Sequence, residues 1–312
     1  MKHEGKVIKS TGSWYIVETP SGEIVNCKIK GKFKTFGIKT TNPIAVGDNI
    51  DFEYIEGDDV GIITNIHQRN NYIIRKSTNL SKTEQIIAAN IDYCIIIATL
   101  KQPRTSTGFI DRVLTTAEAY HIPSAIVFNK FDLYNNNDLD RLAELMYIYE
   151  NAGYKVIVTS VVKKIGLKDF EDLLKDKISM ITGHSGAGKS ALINTIMPEL
   201  NVKIGDISSY HEKGKHTTTF ATMYKLPIGG YIIDTPGIKE FGLADMEKTE
   251  VAERFPEMRK FQHNCKFNNC THTNEPGCAI KKAVEEGLIP EERYNNYLSI
   301  ISDEYFYDSN YD

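Results

Sequence analysis

The sequence has no long hydrophobic run, since its longest strongly apolar stretch, Tyr93 to Leu100, is far too short to span a bilayer. The N-terminal residues, MKHEGKVIKS, contain no apolar segment after the first charges, which argues against a secretory signal. Five cysteines are an odd number for a chain of 312 residues, which argues against a disulfide framework and for a reducing compartment. We therefore expect a cytoplasmic protein without membrane association.

The sequence also lacks a strong excess of either charge, because 37 Lys and Arg residues face 41 Asp and Glu residues. A net charge of −4 excludes a uniformly basic nucleic-acid binder but leaves room for a local basic face. Residues 26–40 contain five lysines and no acid, with Phe33 and Phe36 interleaved. Four of the lysines alternate along the chain: Lys28, Lys30, Lys32 and Lys34. In a strand they share one face, which is either an RNA-binding surface or merely a solvated face.

The pattern of apolar runs and turn signals divides the chain into three predicted domains. Residues 1–70 contain five short β-rich runs, which predict a small barrel of the OB-fold type, with an SH3-like barrel as the alternative. Residues 71–240 alternate apolar strands with amphipathic helices, which predicts an α/β domain with a mostly parallel sheet. Residues 241–312 are mostly helical in pattern and include a Cys/His-rich loop. We expect a multidomain protein.

A phosphate-binding loop is the strongest motif, because residues 183–190 match G-x-x-x-x-G-K-[ST] between a predicted strand and a predicted helix. Its backbone N–H groups would wrap the phosphates at a helix N-terminus. Lys189 would reach the β- and γ-phosphates, and the Ser190 hydroxyl would bind Mg²⁺. A glycine-rich turn that binds nothing is the alternative, which the flanking strand and helix disfavour. The predicted phosphate-binding residues are Gly183, His184, Ser185, Gly186, Ala187, Gly188, Lys189, Ser190 and Ala191.

A guanine-recognition motif follows the predicted strand 124–128, and it consists of Asn129, Lys130, Phe131 and Asp132. The Asp132 carboxylate can accept hydrogen bonds from guanine N1–H and from the N2 amino group, and adenine offers neither in that geometry. Lys130 would lie along the base plane and Asn129 would brace the loop. On its own the motif is more simply a surface turn, but the accompanying phosphate loop favours base recognition. Ser160, at the end of the next strand, is a weaker candidate for the loop that contacts guanine O6.

Two further segments resemble the switches of GTPases. Residues 234–237 read Asp-Thr-Pro-Gly, so that Asp234 would hold Mg²⁺ through water and the Gly237 N–H would meet the γ-phosphate. Residues 215–219 read Lys-His-Thr-Thr-Thr. One of these threonines would close on Mg²⁺, and which of the three does so stays open, with Thr218 as the named candidate. A solvated loop is the alternative for this stretch.

The residue after Gly237 is Ile238, whereas many GTPases have a glutamine there that orients the attacking water. Isoleucine cannot orient water, so either His216 or a partner must help, or intrinsic turnover is slow. Our hypothesis is that His216 orients the water. The predicted catalytic residues are therefore His216, Lys189 and Gly237.

The order of these motifs differs from that of ordinary GTPases. The guanine motif at 129 and Ser160 precede the phosphate loop at 183, which is followed by the switches near 216 and 234. This is a circular permutation of the usual order. All the loops still follow predicted strands, where α/β sheets bind ligands, so the permutation leaves the site intact.

A metal site is predicted near the C-terminus from three cysteines and one histidine: Cys265, Cys270, His272 and Cys278. This ligand set suits tetrahedral structural Zn²⁺ and leaves no open position for catalysis. His263 is a competitor for His272 with a less natural spacing, and free cysteines in a loop are the alternative. The other two cysteines, Cys27 and Cys94, lie in strand patterns and are predicted to be core residues.

Taken together, these motifs resemble the ribosome small subunit-dependent GTPase A family (RsgA, also called YjeQ or YloQ) over nearly the whole chain. The departures are modest: Ser160-Val161 stands where the family has Ser-Ala, and the tail is acidic. The resemblance implies an N-terminal OB-fold, a permuted GTPase, and a zinc-binding module. It also implies a bacterial enzyme that binds GTP and GDP with Mg²⁺ and one structural Zn²⁺. The implied partners are the 30S ribosomal subunit and its 16S rRNA late in maturation, with GTP hydrolysis stimulated by the subunit.

Three functional hypotheses remain at this point. The first is a monomeric GTP-hydrolysing assembly factor for the small ribosomal subunit, favoured by Lys189, Ser190 and Asp234. The second is an RNA-binding structural or chaperone protein that merely holds nucleotide. The third is a metabolic or tRNA-modifying GTPase, for which the sequence contains no second catalytic constellation.

Overall fold

The computed structural model describes residues 2–29, 43–55, 57–76, 84–198, 221–234 and 248–302. These residues fall into two compact units, each drawn from three stretches of the chain. The barrel unit comes from residues 1–93, 171–181 and 193–236, and the loop unit comes from residues 94–170, 182–192 and 237–312. No described helix combines the length and hydrophobicity that crossing a bilayer requires.

The N-terminal barrel contains the predicted five strands: β1 His3–Ser10, β2 Tyr15–Glu18, β3 Ile24–Ile29, β4 Asn49–Tyr54 and β5 Val60–Ile66. Their neighbour order is β1-β2-β3-β5-β4, and β4 pairs back onto β1, which closes the barrel. β3 and β5 run parallel, whereas the other pairs are antiparallel. This Greek-key order confirms the OB-fold and excludes the SH3-like alternative.

The barrel interior is apolar because alternate residues of each strand point inward. The fully enclosed side chains are Val7, Tyr15, Val17, Val25, Cys27, Ile44, Ile50, Phe52 and Ile63. Gly61 is required here, since a Cβ at this position would lie 2.6 Å from the Cys27 sulfur. Burial raises the pKa of Cys27 and of Cys94 to about 12. Both thiols are core groups, as predicted.

A hairpin that the sequence analysis did not predict follows the barrel. It consists of β6 Tyr72–Lys76 and β7 Glu84–Ala89, which are antiparallel. Ala88 of β7 forms a parallel bridge with Val46. Gly47, the residue after Val46, has a φ of 92°. A Cβ at Gly47 would lie 2.1 Å from the Ala89 carbonyl oxygen, so this close approach requires glycine.

Three more strands complete the barrel unit: β11 Ile178–Thr182, β12 Thr222–Lys225 and β13 Tyr231–Asp234. β11 and β13 are parallel, and β12 is antiparallel to β13. β12 also pairs with β1 of the barrel, through Thr222 and Lys9. The barrel is therefore joined by main-chain pairing to β12, and through β12 to β13, the strand that ends in Asp234.

The loop unit contains parallel strands in the order β10-β9-β8: β8 Tyr93–Ala98, β9 Ser124–Phe128 and β10 Lys155–Val158. All five residues of β9 are buried, as expected for a parallel strand covered on both faces. The helices of this unit that follow β8 and β9 are α1 Thr107–Ala119 and α2 Asn136–Asn151, whereas α3 Leu167–Leu174 and α4 Lys189–Ile196 each begin in the loop unit and end in the barrel unit. Ser106 caps α1, and Asn135 with Asp138 forms a capping box for α2.

The C-terminal part of the loop unit is mostly helical, as predicted. It contains α5 Lys248–Val251, α6 Pro256–Arg259, α7 Ala279–Glu285 and α8 Glu291–Ile301, with short 3₁₀ turns at 252–254 and 262–264. Its own apolar core includes Phe255, Met258, Ile280 and Tyr297 together with two of the predicted metal ligands, Cys270 and Cys278.

Candidate functional site: nucleotide loops and a metal cluster

Two loops, the predicted guanine motif at 129–132 and the phosphate loop at 183–190, are called the nucleotide loops below. Asn129 contacts both and is only 2% exposed. It directly follows β9, and its backbone N–H donates to the Ala98 carbonyl at 2.8 Å. Its side-chain oxygen accepts from the Thr159 hydroxyl at 3.0 Å, and its side-chain amide donates to the Ala187 carbonyl at 3.0 Å. The guanine motif and the phosphate loop, 58 residues apart, are thus joined by one buried hydrogen bond. That bond is the contact that the predicted bracing role requires.

The phosphate loop leaves β11 and enters α4 at Lys189. Gly188 has a φ of 94°, and a Cβ there would lie 2.3 Å from the Asn129 side-chain nitrogen, so only glycine fits. The Lys189 ammonium donates to the carbonyls of Gly183 and His184 at 2.7 and 2.8 Å. The lysine is therefore held inside the loop that the motif predicts to bind phosphate.

The other predicted phosphate-binding residues follow the same path. Ser185 and Gly186 are exposed at the tip of the loop, whereas Ala187 is fully buried beneath it. Ser190 and Ala191 lie in the first turn of α4. The N-terminus of this helix adjoins the loop, and a helix N-terminus favours an anion.

His184 has an unpredicted partner, the ring of Phe109 on α1, at a centroid distance of 4.2 Å. Burial lowers the pKa of His184, and the nearby Lys189 lowers it further. A neutral imidazole packed on an aromatic ring anchors the loop without repelling Lys189.

Asp132 lies in a 3₁₀ turn, Phe131–Leu133, that begins after Lys130. Lys130 has a left-handed backbone with a φ of 62°, and its ammonium donates to the Gln102 carbonyl. The Ser160 hydroxyl donates to the Asp132 carboxylate, and the backbone N–H of Ser160 donates to the Ile165 carbonyl at 3.0 Å. Ser160 is therefore next to the predicted base-binding carboxylate, and its side chain is the group in contact.

The predicted switch residues lie largely beyond what the structure describes. Asp234 is the last residue of β13 in the barrel unit, and its side chain is outside the described atoms. His216, Thr218 and Gly237 lie outside the described residues, as do Lys30, Lys32 and Lys34 of the basic stretch. Their roles stay predictions.

The four predicted metal ligands come together, with their ligand atoms all within 4.8 Å of one another. The His272 Nδ1 atom lies 3.6 Å from the Cys265 sulfur and 3.5 Å from the Cys278 sulfur. In a tetrahedral site with Zn–S near 2.3 Å and Zn–N near 2.1 Å, such atoms lie about 3.6 Å apart. The donor set therefore fits a tetrahedral ion at this position.

The three cysteines of the cluster can be thiolates together only beside a cation. Burial raises the pKa of Cys270 to about 12, and the neighbouring thiols contribute to the increase. Three adjacent thiolates would repel each other in this partly buried place unless a metal ion neutralised them. His263 lies in the 3₁₀ turn before Cys265 and does not belong to the group of ligand atoms that come together among the described residues.

The ligand loop is held by groups around it. The Glu275 carboxylate accepts from the backbone N–H groups of Thr271 and Thr273 at 2.7 and 2.9 Å. From α8, the Tyr294 hydroxyl donates to the His272 carbonyl at 2.6 Å, and the Tyr297 hydroxyl donates to the Thr271 carbonyl at 2.7 Å. Such outer contacts orient the ligands of a metal site.

Several supporting residues carry no motif and were missed from the sequence. Tyr134 and Phe109 contact the nucleotide loops, and Glu275 orders the metal loop. Each is an ordinary residue in its local sequence. Only the folded arrangement identifies its partner.

Comparison with known proteins agrees with this architecture. A family model described as RsgA GTPase matches residues 66–244, and one described as RsgA N-terminal domain matches residues 4–63. The chain is 50% identical over 300 residues to Small ribosomal subunit biogenesis GTPase RsgA of Bacteroides fragilis (strain YCH46), which covers 96% of each chain. It is 51% identical over 299 residues to the protein of that name from Flavobacterium psychrophilum, covering 95% of this chain and 92% of the relative.

Two solved structures share the fold. YjeQ from Thermotoga maritima matches with a TM-score of 0.79 and 35% identity, over 97% of this chain and 98% of that one. YloQ, a circularly permuted GTPase, matches with a TM-score of 0.77 and 29% identity, over 100% of this chain and 98% of that one. With the nucleotide loops, the barrel and the family matches in agreement, the chain belongs to the RsgA GTPase family and is a GTP-hydrolysing enzyme.

Proposed function

We propose that this GTPase binds the small ribosomal subunit, acts late in its maturation, and hydrolyses GTP faster when bound to it. The relatives at about 50% identity carry the name of a small ribosomal subunit biogenesis GTPase. The observation that carries the nucleotide part is the buried Asn129–Ala187 hydrogen bond, which holds a base-recognition loop against a phosphate loop. A protein that used its loop only as a structural turn would not need this bond.

In the proposed site, Asp132 recognises guanine and Lys189 binds the β- and γ-phosphates. The phosphates lie along residues 183–191, and Ser190 holds Mg²⁺ together with Thr218 and Asp234. Bound Mg²⁺ would offset the negative charge that develops on the phosphate oxygens during hydrolysis. The Gly237 N–H meets the γ-phosphate, and His216 orients the attacking water.

The metal cluster is proposed to hold one structural Zn²⁺ through Cys265, Cys270, His272 and Cys278. The fit of the ligand distances to a tetrahedral ion supports this assignment. All four ligands come from the protein, so the site has no position for a substrate. Its role is to keep the ligand loop folded against α8.

The proposed RNA contact is 16S rRNA at the barrel. Trp14 is 39% exposed, and the Lys28 ammonium lies 3.9 Å from the centre of its ring. An exposed aromatic ring beside a lysine suits an RNA strand, because the ring stacks on a base and the ammonium attracts a phosphate. Lys28 begins the basic stretch 26–40. We expect Trp14→Ala to weaken binding to the subunit.

We further propose that residues 1–70, 71–240 and 241–312 act as RNA-binding, GTP-hydrolysing and metal-binding domains. We expect the chain to act as a cytoplasmic monomer, and light scattering of the purified protein measures its mass directly. A mass of two chains at micromolar concentration would contradict the monomer.

The deciding experiment measures GTP turnover with and without purified small subunits. We expect stimulation by the subunit, and Lys189→Ala should abolish turnover in both conditions. Lys175→Ala, at a lysine outside the nucleotide loops, is the matched control. Turnover that does not respond to subunits would contradict the proposal, and subunit binding without turnover would favour a nucleotide-holding RNA chaperone instead.

Sedimentation with subunits tests how the nucleotide controls attachment. Co-sedimentation is expected with a non-hydrolysable GTP analogue and is expected to fall with GDP.

The His216→Ala variant tests the water-orienting role, since it should lose stimulated turnover while keeping nucleotide binding. Unchanged stimulated turnover in this variant would reject the role of His216.

A further inference from the structure

Tyr134 lies two residues beyond Asp132, outside every motif, and its phenol joins the ends of two strands. The hydroxyl donates to the Asn129 carbonyl at 2.6 Å and accepts from the Leu100 N–H at 3.0 Å. Leu100 follows β8 and Asn129 follows β9. One half-buried side chain therefore bridges the two neighbouring strand ends from which the guanine loop starts.

The loop that Tyr134 supports has a backbone that needs support. Lys130 is left-handed at a φ of 62°, a conformation that costs about 1–2 kcal/mol for a residue with a side chain. Such a conformation persists where the surrounding contacts determine it. The next residues close a 3₁₀ turn, in which the Leu133 N–H donates to the Lys130 carbonyl at 2.9 Å. Asp132 is the middle residue of this turn.

Four polar groups of Asn129 are hydrogen-bonded, each to a different residue. Its backbone N–H donates to the Ala98 carbonyl, its side-chain oxygen accepts from the Thr159 hydroxyl, and its side-chain amide donates to the Ala187 carbonyl. Tyr134 holds its carbonyl, which begins the peptide unit that leads into left-handed Lys130. The first three contacts fix where the loop begins. The fourth fixes the direction in which it continues toward Asp132.

We propose that Tyr134 is a positioning residue for base recognition, whose phenol orients the Asp132 carboxylate by fixing the Asn129 peptide. The proposal rests on the proposed role of Asp132 in recognising guanine. The Ser160 hydroxyl holds the Asp132 carboxylate directly, so the aspartate is oriented through its side chain by Ser160 and through its backbone by Tyr134.

The phenol is suited to this donor role at neutral pH. Burial raises the pKa of Tyr134 to about 12, and the carboxylates of Asp138 and Asp132 contribute to the increase. The Leu100 N–H favours the ionised form but does not overcome burial. The hydroxyl therefore keeps its proton and continues to donate to Asn129 throughout the neutral range.

The role predicts an effect on base discrimination in particular. Guanine offers Asp132 two donors, N1–H and the N2 amino group, whereas hypoxanthine offers only N1–H. A well-oriented carboxylate therefore prefers GTP to inosine triphosphate, and a loosely held one prefers it less. Phosphate contacts are identical for the two nucleotides, so a general disturbance of the phosphate loop would weaken both equally.

The test is Tyr134→Phe in the full-length chain, with Tyr147→Phe as the matched control. Tyr147 lies on α2 and is 69% exposed, so its hydroxyl supports no loop. We expect Tyr134→Phe to raise the KM for GTP about fivefold, the value of one lost hydrogen bond. Its kcat should stay within about twofold, and the KM for inosine triphosphate, which has only the N1–H contact to lose, should rise less than the KM for GTP, so that the preference for GTP shrinks. Equal losses for both nucleotides, or an unchanged preference, would overturn the proposal.

Asp132→Ala separates this proposal from the one it rests on. If that variant keeps the wild-type preference for GTP, base recognition by Asp132 is wrong. If it loses the preference while Tyr134→Phe keeps it, only the role of Tyr134 is wrong.

A second variant keeps the test decisive if Tyr134→Phe does not fold. Replacement of Tyr134 by 2,3,5,6-tetrafluorotyrosine retains the hydroxyl but makes the phenol acidic enough to ionise near neutral pH, even when burial raises its pKa as it raises that of Tyr134. In one folded molecule, the preference for GTP should then decline as pH rises from about 6 toward about 8 and return when the pH is lowered, because the phenolate cannot donate to Asn129. The wild-type protein should keep its preference over the same range. A preference that does not change with pH in the fluorinated protein would also overturn the proposal.

Discussion

Two polar clusters tie distant parts of the chain together, and they differ mainly in how far they are shielded from water. The Arg293 cluster, in the loop unit, joins Arg293 of α8 to Asp111 of α1 and Glu257 of α6. The Glu18 cluster, in the barrel unit, joins Glu18 of β2 to Lys225 and Tyr231 on the β12–β13 hairpin. Each connects residues that are far apart in sequence, and each lies next to a region with a proposed function.

The Arg293 cluster is fully buried. Arg293 is 1% exposed, and its guanidinium binds Glu257 in a two-point contact at 2.7 and 3.2 Å while also pairing with Asp111. The Phe255 ring lies 4.5 Å from the guanidinium carbon, measured to the ring centre. Asp111 also accepts from Tyr149 and Asn296 at 2.9 and 2.6 Å. Each of the three charged side chains is paired, so the removal of one of them leaves an opposite charge buried without its partner.

The Glu18 cluster is half open to water. The Lys225 side chain is 58% exposed, although Glu18 is 6% exposed. Water can therefore replace much of the contribution of the lysine, whereas the Tyr231 hydroxyl donates directly to the buried Glu18 carboxylate at 2.8 Å. Both clusters link residues that are distant in sequence, but they do not contribute equally to the free energy of unfolding, because exposure to water decides what each ion pair contributes.

The largest expected effect comes from removing the metal ligands, which tests whether the Arg293 cluster can hold α8 without the metal loop. Cys270→Ser should reduce bound zinc from one per chain to nearly none. It should lower the stability of the C-terminal region by on the order of 5 kcal/mol or more, because folding free energy of small zinc modules comes from the metal. Metal analysis and urea denaturation measure both effects. Cys94→Ala, at a buried cysteine outside the cluster, should keep its zinc, and a zinc-free wild-type protein would contradict the assignment.

Breaking the Arg293 cluster itself is expected to cost about 3–5 kcal/mol, because Arg293→Met leaves two carboxylates buried without their cation. Thermal and urea unfolding of the variant would show the loss. Arg259→Met is the matched control, since Arg259 is 48% exposed and lies 3.5 Å from Glu118. Its expected loss is below about 1 kcal/mol. Equal losses in the two variants would reject the importance of burial.

The Glu18 cluster should show a smaller effect that depends on which member is changed. Tyr231→Phe removes a donor to a buried carboxylate and should cost about 1–2 kcal/mol. Lys225→Met should cost less than about 0.5 kcal/mol, because the ammonium is largely hydrated. Urea denaturation of both variants gives the ranking, and a larger loss for Lys225→Met would contradict it.

A third pair, Asp51 and His67 in the barrel unit, should give the smallest effect, and its side chains are 15% and 36% exposed. The hydrogen bond from His67, 2.7 Å from the Asp51 carboxylate, lowers the pKa of Asp51, and Asn65 contributes further. A carboxyl whose pKa is lowered on folding stabilises the fold above its unfolded pKa of about 3.9, and this stabilisation is lost as pH falls through the folded value.

Melting temperatures of wild type and Asp51→Asn should therefore differ at pH 6 and converge below about pH 4. Glu53→Gln, at an exposed acid of the same strand, is the control and should show no such convergence. A difference for Asp51→Asn that stays constant down to acid pH would contradict the contribution of this pair.

The elements of the fold followed from the sequence where local signals were strong. The five barrel strands and the strands at 93–98, 124–128, 155–158 and 178–182 agree with the predicted runs. The hairpin β6–β7 was missed, because its two strands are recognisable only once they pair with each other and with Val46. Pairing of short, half-polar runs is a tertiary event that no local pattern reports.

The functional loops show the same limit. Motif spacing predicted the phosphate loop, the guanine loop and the four metal ligands, because phosphate binding, base recognition and metal ligation each require particular residue types. It did not predict Phe109 or Tyr134, since an aromatic ring serves many purposes. These residues acquire their roles from the neighbours that the fold brings to them.

By itself, the sequence determined the family, the permuted order of the nucleotide motifs, the barrel and the composition of the metal cluster. Each of these depends on residue identity and on distance along the chain. The tertiary structure alone decided that Asn129 meets Ala187, that Tyr134 bridges two strand ends, and that Arg293 is buried between two carboxylates. Those contacts join residues that are distant in sequence or carry no motif, and their strength depends on exclusion of water, which only the packed fold provides.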